Sequence, residues 1–201
     1  MKPGWLAIGF AAAMLAGCAG IESDVSASLP DASVLDAGPR TYAFAHSPVA
    51  PAGADAAYES AIADALAKHD FDAVPGVHAR LRVSFAYDTH AQPVSIVDEA
   101  CAPHDECEAK QRPLSFGWPG RERFVHSLTL RFFDRATGRE IYKVSVSSKD
   151  SEADSRSAVT NLVESAFAHL PYSGSSRWHV RLRRDKSGNM LSVVSVTPDS
   201  R

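Results

Sequence analysis

Three stretches alternate apolar and polar residues with a period of two, and together they restrict the possible folds more than any other feature of the chain. In VHARLRVSFAY (77–87), Val77, Ala79, Leu81, Val83, Phe85 and Tyr87 fall on one side, and His78, Arg80, Arg82 and Ser84 on the other. Successive side chains of a strand point to opposite faces, so the pattern predicts a strand with one buried and one wet face. RFVHSLTLRFFD (123–134) alternates through Phe124, Leu128, Leu130 and Phe132, and EIYKVSVSS (140–148) through Tyr142, Val144 and Val146. The Gly-containing turn RATG between them predicts a hairpin.

A sheet with one apolar face needs a cover. Residues 54–69 place Tyr58, Ala61, Ile62, Ala65, Leu66 and His69 along one side of a helix. A second helix is expected after Asp150, starting near Ser151 or Ser155, because Ser151 and Asp154 have the spacing of a capping box. Its buried side would carry Val159, Leu162, Val163, Ala166, Phe167 and Leu170, and Pro171 and Gly174 would end it. Short strands are expected at 41–46 and 93–100, and a closing hairpin from 177–184 with 189–196. Hairpins dominate and no βαβαβ alternation occurs. The expected class is therefore α+β, a mainly antiparallel sheet with two amphipathic helices packed on one face, plus a C-terminal hairpin.

The amino terminus reads as an address. Lys2 precedes an uncharged apolar run at 5–15, shorter than the roughly 20 residues needed to span a bilayer but suited to a signal peptide. Leu15-Ala16-Gly17-Cys18 resembles the lipobox of bacterial lipoproteins at all four positions. The resemblance implies cleavage before Cys18, a diacylglycerol thioether on its sulfur and further acylation, with palmitate-type chains as the anchor. Ala19 in place of Asp would, by the rule for enteric bacteria, send the protein to the outer membrane, periplasmic face. The expected organisation is a signal peptide at 1–17, the lipidated cysteine and a flexible tether at 18–39, and one α+β domain at 40–201. The tether reading rests on a segment rich in Ala, Ser and Asp, with Pro30 and Pro39. On this reading Cys18→Ala abolishes lipid labelling and leaves unprocessed or mislocalised precursor, and normal membrane anchorage of that variant would overturn it.

With Cys18 lipidated, Cys101 and Cys107 remain, and an oxidising compartment favours a disulfide between them. The rival reading of Cys101, His104 and Cys107 is a metal-ligand set from a single loop. Residues 98–123 form the longest stretch without a period. There Phe116 and Trp118 are candidates either for contact with an envelope protein or cell-wall partner, or for covering a sheet edge.

The formal net charge is −3, and no long basic run occurs, which argues against a nucleic-acid partner. Arg177, Arg181, Arg183, Arg184 and Lys186 cluster in the closing hairpin, where Trp178, Val180 and Leu182 alternate with them, and one strand face would meet solvent, anionic headgroups or an acidic partner. No G-x-S-x-G, P-loop or dinucleotide fingerprint is present, so no cofactor and no catalytic residue is assigned. The expectation is a lipid-anchored, non-enzymatic binding or scaffold module of the cell envelope. The alternative is a periplasmic enzyme or ligand-binding protein acting on lipid or cell-wall material.

RTYAF, ALAKHDF, ARLRVSFAY, SLTLRFFDRATGREIYKVSVSS and a helix closing in HLP together resemble the bacterial periplasmic lipoproteins grouped as domain of unknown function 4136. Tyr42 and Phe44, Leu66 and Phe71, Leu81 and Val83, and Asp134 with Thr137 and Gly138 carry the likeness, over about 40–172. Tyr142 stands where that family has tryptophan, His69-Asp70 replaces Lys-Gly, and the hairpin after 176 lies outside the pattern. The resemblance implies a fold and a compartment and supplies no catalytic residues.

Overall fold

The computed structural model describes residues 20–28, 35, 38–45, 56–92, 122–185 and 191–199. In chain order they form β1 (Ile21–Ser28), β2 (Thr41–Phe44), α1 (Ala56–Lys68), β3 (Asp72–Ala73), β4 (Leu81–Ala91) and β5 (Phe124–Asp134). β6 (Glu140–Asp150), α2 (Ser155–Phe167), β7 (Arg177–Arg184) and β8 (Leu191–Pro198) follow. One sheet holds all eight strands in the order β3-β2-β4-β5-β6-β1-β7-β8. Only β2 pairs in parallel, with β3 and β4. The expected class therefore holds: a mainly antiparallel α+β sheet, two helices on one face and a C-terminal pair of strands. Among the described residues no helix is long and apolar enough to cross a membrane.

β4, β5 and β6 are eleven residues each and form the centre of the sheet. Leu81 and Val83, Leu128, Leu130 and Phe132, and Tyr142, Val144 and Val146 are buried on the helix side. The period-2 pattern thus predicted the inward face of all three strands. β4 begins later than expected because Pro75 and Gly76 open a turn, closed by the His78 N–H on the Pro75 carbonyl at 2.8 Å. That turn lifts Val77 out of the sheet, 68% exposed, while Ala79 is buried. The β5–β6 turn is set by Asp134, whose carboxylate accepts the Thr137 N–H and hydroxyl, each at 2.8 Å. Those bonds, the hydroxyl's first, hold the Asp134 carboxyl below its usual range.

Both helices dock through the residues their periodicity marked. α1 buries Tyr58, Ile62, Ala65 and Leu66. The Tyr58 ring stacks on Tyr87 of β4 with centroids 4.1 Å apart, and its hydroxyl donates to the Ser155 carbonyl at 3.1 Å. α2 buries Val159, Leu162, Val163, Ala166 and Phe167. Asp154 itself is the N-cap, accepting the Arg156 N–H at 3.0 Å, so the cap is one carboxylate and not a Ser151–Asp154 box.

The amino-terminal segment departs most from expectation. Residues 21–28, expected within a flexible tether, form β1, which lies inside the sheet and pairs antiparallel with β6 on one side and β7 on the other. Ser23 and Val25 are buried beneath the helices, and Glu22 and Asp24 turn to solvent. Arg181 of β7 grips Glu22 with its Nη2 at 2.7 Å and its Nε at 3.2 Å, and His179 Nδ1 lies 3.2 Å from Asp24 Oδ1. The acidic partner of the basic hairpin is thus a strand of the same chain. The closing hairpin is β7–β8, with a register shift at Arg181/Leu182 that leaves Val194 without a partner on β7. The strand expected at 93–100 lies outside the described residues.

Candidate functional site

A polar row crosses the helix-covered face near the C-terminal ends of β4 and β6. Thr89, His126, Ser148 and Ser23 are successive cross-strand neighbours on β4, β5, β6 and β1. His126 is 0% exposed, and both ring nitrogens are engaged. Nε2 lies 3.0 Å from Asp150 Oδ1 and 2.9 Å from the Glu152 carbonyl, and Nδ1 lies 2.9 Å from Thr89 Oγ1. A backbone carbonyl only accepts, so the proton sits on Nε2, and in the neutral ring Nδ1 accepts the Thr89 hydroxyl. Asp150 also accepts the Glu152 N–H at 2.8 Å, which fixes the bend leading into α2.

Farther along the row, Ser165 of α2 donates to Ser23 at 3.0 Å, and the Tyr172 hydroxyl donates to the Ser165 carbonyl at 2.7 Å. Tyr142 receives the Tyr172 N–H at 3.3 Å, and burial pushes the Tyr142 phenol up to about 12. Ser148 Oγ, between His126 and Ser23, is buried without a hydrogen-bond partner. The hydroxyl–imidazole–carboxylate order of Thr89, His126 and Asp150 is that of a proton relay. However, the ring is sealed from solvent, so no reacting atom reaches it. The row's work is positional: it ties three strand ends and the entry of α2 together.

Among the described residues no helix lies over the opposite face of the sheet. Ser84, Ser127, Thr129, Ser145, Ser147, Ser26 and Ser28 alternate with the buried residues on their strands, so they point outward. Register sets Ser127 beside Ser147, and Thr129 beside Ser145 and then Ser26, with the Thr129 and Ser145 hydroxyls 3.0 Å apart, while Ser84 faces Arg131 and Ser28 faces Lys143. Short side chains in facing rows give a flat, hydroxyl-covered platform. At the end of the strands away from His126, the platform dips into an open cleft of about 250 Å³ lined by Ser26, Ala27, Ser28, Lys143, Ser176 and Arg177. The sequence marked neither the platform nor the cleft, because isolated serines in alternating strands carry no motif.

Cys18, Cys101, His104, Cys107, Phe116 and Trp118, the site residues expected from sequence, all lie outside the described residues. Among the described residues no cluster of three or more His, Cys, Asp or Glu has the geometry to hold a metal ion.

No curated protein sequence matches the chain. Its fold is similar to a PDZ domain protein from Parabacteroides distasonis, with a TM-score of 0.51, 12% identity, 82% of this chain covered and 40% of that one. The chain therefore spans less than half the length of that protein, and at this identity the likeness is one of fold. A subunit of the PelC dodecamer from Paraburkholderia phytofirmans aligns with a TM-score of 0.42 and 14% identity over 73% of this chain and 95% of that one.

One group of expectations is corrected by these findings. They identify an uncharacterised domain whose match begins at residue 30, beyond Leu15–Cys18. No lipobox, palmitate, outer-membrane, periplasmic or disulfide signal accompanies that identification, and no disulfide occurs among the described residues. The match spans β2 through α2 and stops at Tyr172, so β1, β7 and β8, which stand together at one flank of the sheet, lie outside it. Residues 30–172 match the family described as Domain of unknown function (DUF4136), and the chain belongs to that family.

Proposed function

We propose that the domain is a binding or scaffold module that works through the uncovered face of its sheet. The observation behind this reading is the asymmetry of the described layers: two helices cover one face of an eight-stranded sheet, and among the described residues the other carries no helix and presents a hydroxyl-rich patch at its centre. Each Ser and Thr hydroxyl offers a donor and an acceptor, so a second macromolecule can satisfy them with hydrogen bonds. The Glu22–Arg181 ion pair and the Asp24–His179 contact flank the platform as a polar rim.

Photo-crosslinking in native cells tests the reading. A crosslinker placed at Ser127 or Ser147 on the platform should give a discrete adduct. The same group at Glu164, on the outer side of α2, should not. Equal labelling from both sides, or none from the platform, would overturn the proposal.

A further inference from the structure

The geometry points to the cleft at the end of the platform as a binding site for a phosphate group. This deepens the reading of the open face as the binding surface and rests on it. Ser28 lies directly across from Lys143, and Ser26 directly across from Arg177, so the register of β1 with β6 and β7 brings two cations to one opening. Among the described residues neither the Lys143 nor the Arg177 side chain meets a carboxylate. Arg131, directly across from Lys143 on β5, is engaged by Glu140 at 3.5 Å, and Asp199, whose N–H donates to the Arg177 carbonyl at 3.0 Å, makes no ion pair with the Arg177 side chain. On the same face, Glu22 and Asp24 are answered by Arg181 and His179.

The donor set selects the ligand. Arg177 offers a planar fork, Lys143 a point charge with three donors, and Ser26, Ser28 and Ser176 three hydroxyls that can rotate to suit. A carboxylate has two oxygens and a single charge. A phosphate group presents three or more acceptor oxygens and a charge near −2, which matches two cations and several hydroxyl donors. A volume of about 250 Å³ accommodates a phosphate and the first atoms attached to it, and the open mouth lets the remainder of the ligand lie along the platform. The phosphate could belong to a soluble ligand or to a lipid headgroup.

The test is titration of the ¹⁵N-labelled full chain with inorganic phosphate, against sodium chloride at equal ionic strength. Saturable amide shifts at Ser26, Ser28, Lys143 and Ser176 are expected with phosphate and not with chloride. The Lys143→Ala/Arg177→Ala double variant should weaken binding at least tenfold. Equal responses to phosphate and chloride, or a double variant that binds as the parent does, would overturn the site. Phosphate-containing vesicles then separate the sources. Co-sedimentation with phosphatidic acid vesicles that the double variant loses assigns a headgroup, and phosphate binding without it assigns a soluble ligand. Platform crosslinks that persist while phosphate fails to bind would sink this inference alone, whereas phosphate binding without platform crosslinks would sink the wider reading alone.

Discussion

A chain starting at Arg40 should fail to fold, showing no cooperative urea transition and eluting as aggregate, whereas a chain starting at Gly20 should unfold cooperatively. The prediction follows from the place of β1. Deleting it removes Val25, 2% exposed, from the core and strips hydrogen-bond partners from β6 and β7 together. β7 and β8 join the rest of the sheet only through β1, so the hairpin would lose its place and two bare strand edges would appear. Burying one Val side chain is worth roughly 1.5–3 kcal/mol, and two strand interfaces add to that, against a total stability of about 5–15 kcal/mol for a domain. Circular dichroism with size-exclusion chromatography decides the matter. A 40–201 chain with a cooperative transition at the parental midpoint would show that β1 is dispensable.

The second large effect is expected at His126. Changing it to Ala removes the ring's bonds to the Thr89 hydroxyl, the Glu152 carbonyl and Asp150, which keeps only the Glu152 N–H, and opens a void under α2. Together these should cost about 3–5 kcal/mol in urea unfolding. Thr89→Val, which removes one hydrogen bond and keeps the shape, should cost about 1–3 kcal/mol. Ser148→Ala provides the contrast, since its hydroxyl has no partner and its loss should be neutral or stabilising. A His126→Ala chain within about 1 kcal/mol of the parent would mean that the row does not organise the strand ends.

These two sites also show what the sequence could reveal. Leu81, Val83, Leu128, Leu130, Val144 and Val146 announced themselves because burial on one face writes a period of two into the chain. The helices were equally plain, through Ile62 and Leu66 in one and Leu162 and Ala166 in the other. β1 was not, because IESDVSAS has only two large apolar residues, and Ser and Asp are poor strand formers. Its stability comes from neighbours: the helices cover Ser23 and Val25, and Arg181 and His179 answer Glu22 and Asp24. Those partners lie far along the chain, so local reading could not supply them.

His126 was missed for a related reason. Thr89, His126 and Asp150 have no sequence grammar and become neighbours only once the registers of β4, β5 and β6 are set. The platform is the same case, since hydroxyl residues facing solvent look ordinary until their rows align. The cleft needs one register more, that of β1 with β7.

The interior position of β1 also orders events during synthesis. Glu22 meets Arg181, a residue 159 positions later in the chain. At about 5–20 residues per second, a ribosome takes on the order of ten to thirty seconds to make that partner. Throughout that wait the first strand is present without its final neighbours. A strongly apolar strand would pair with the wrong chain in that interval, whereas one carrying Glu22, Asp24 and three serines stays solvated until β6 and β7 emerge. The weak strand character of IESDVSAS therefore acts as a timing device, keeping β1 unpaired until the later-made β7–β8 hairpin arrives to enclose it.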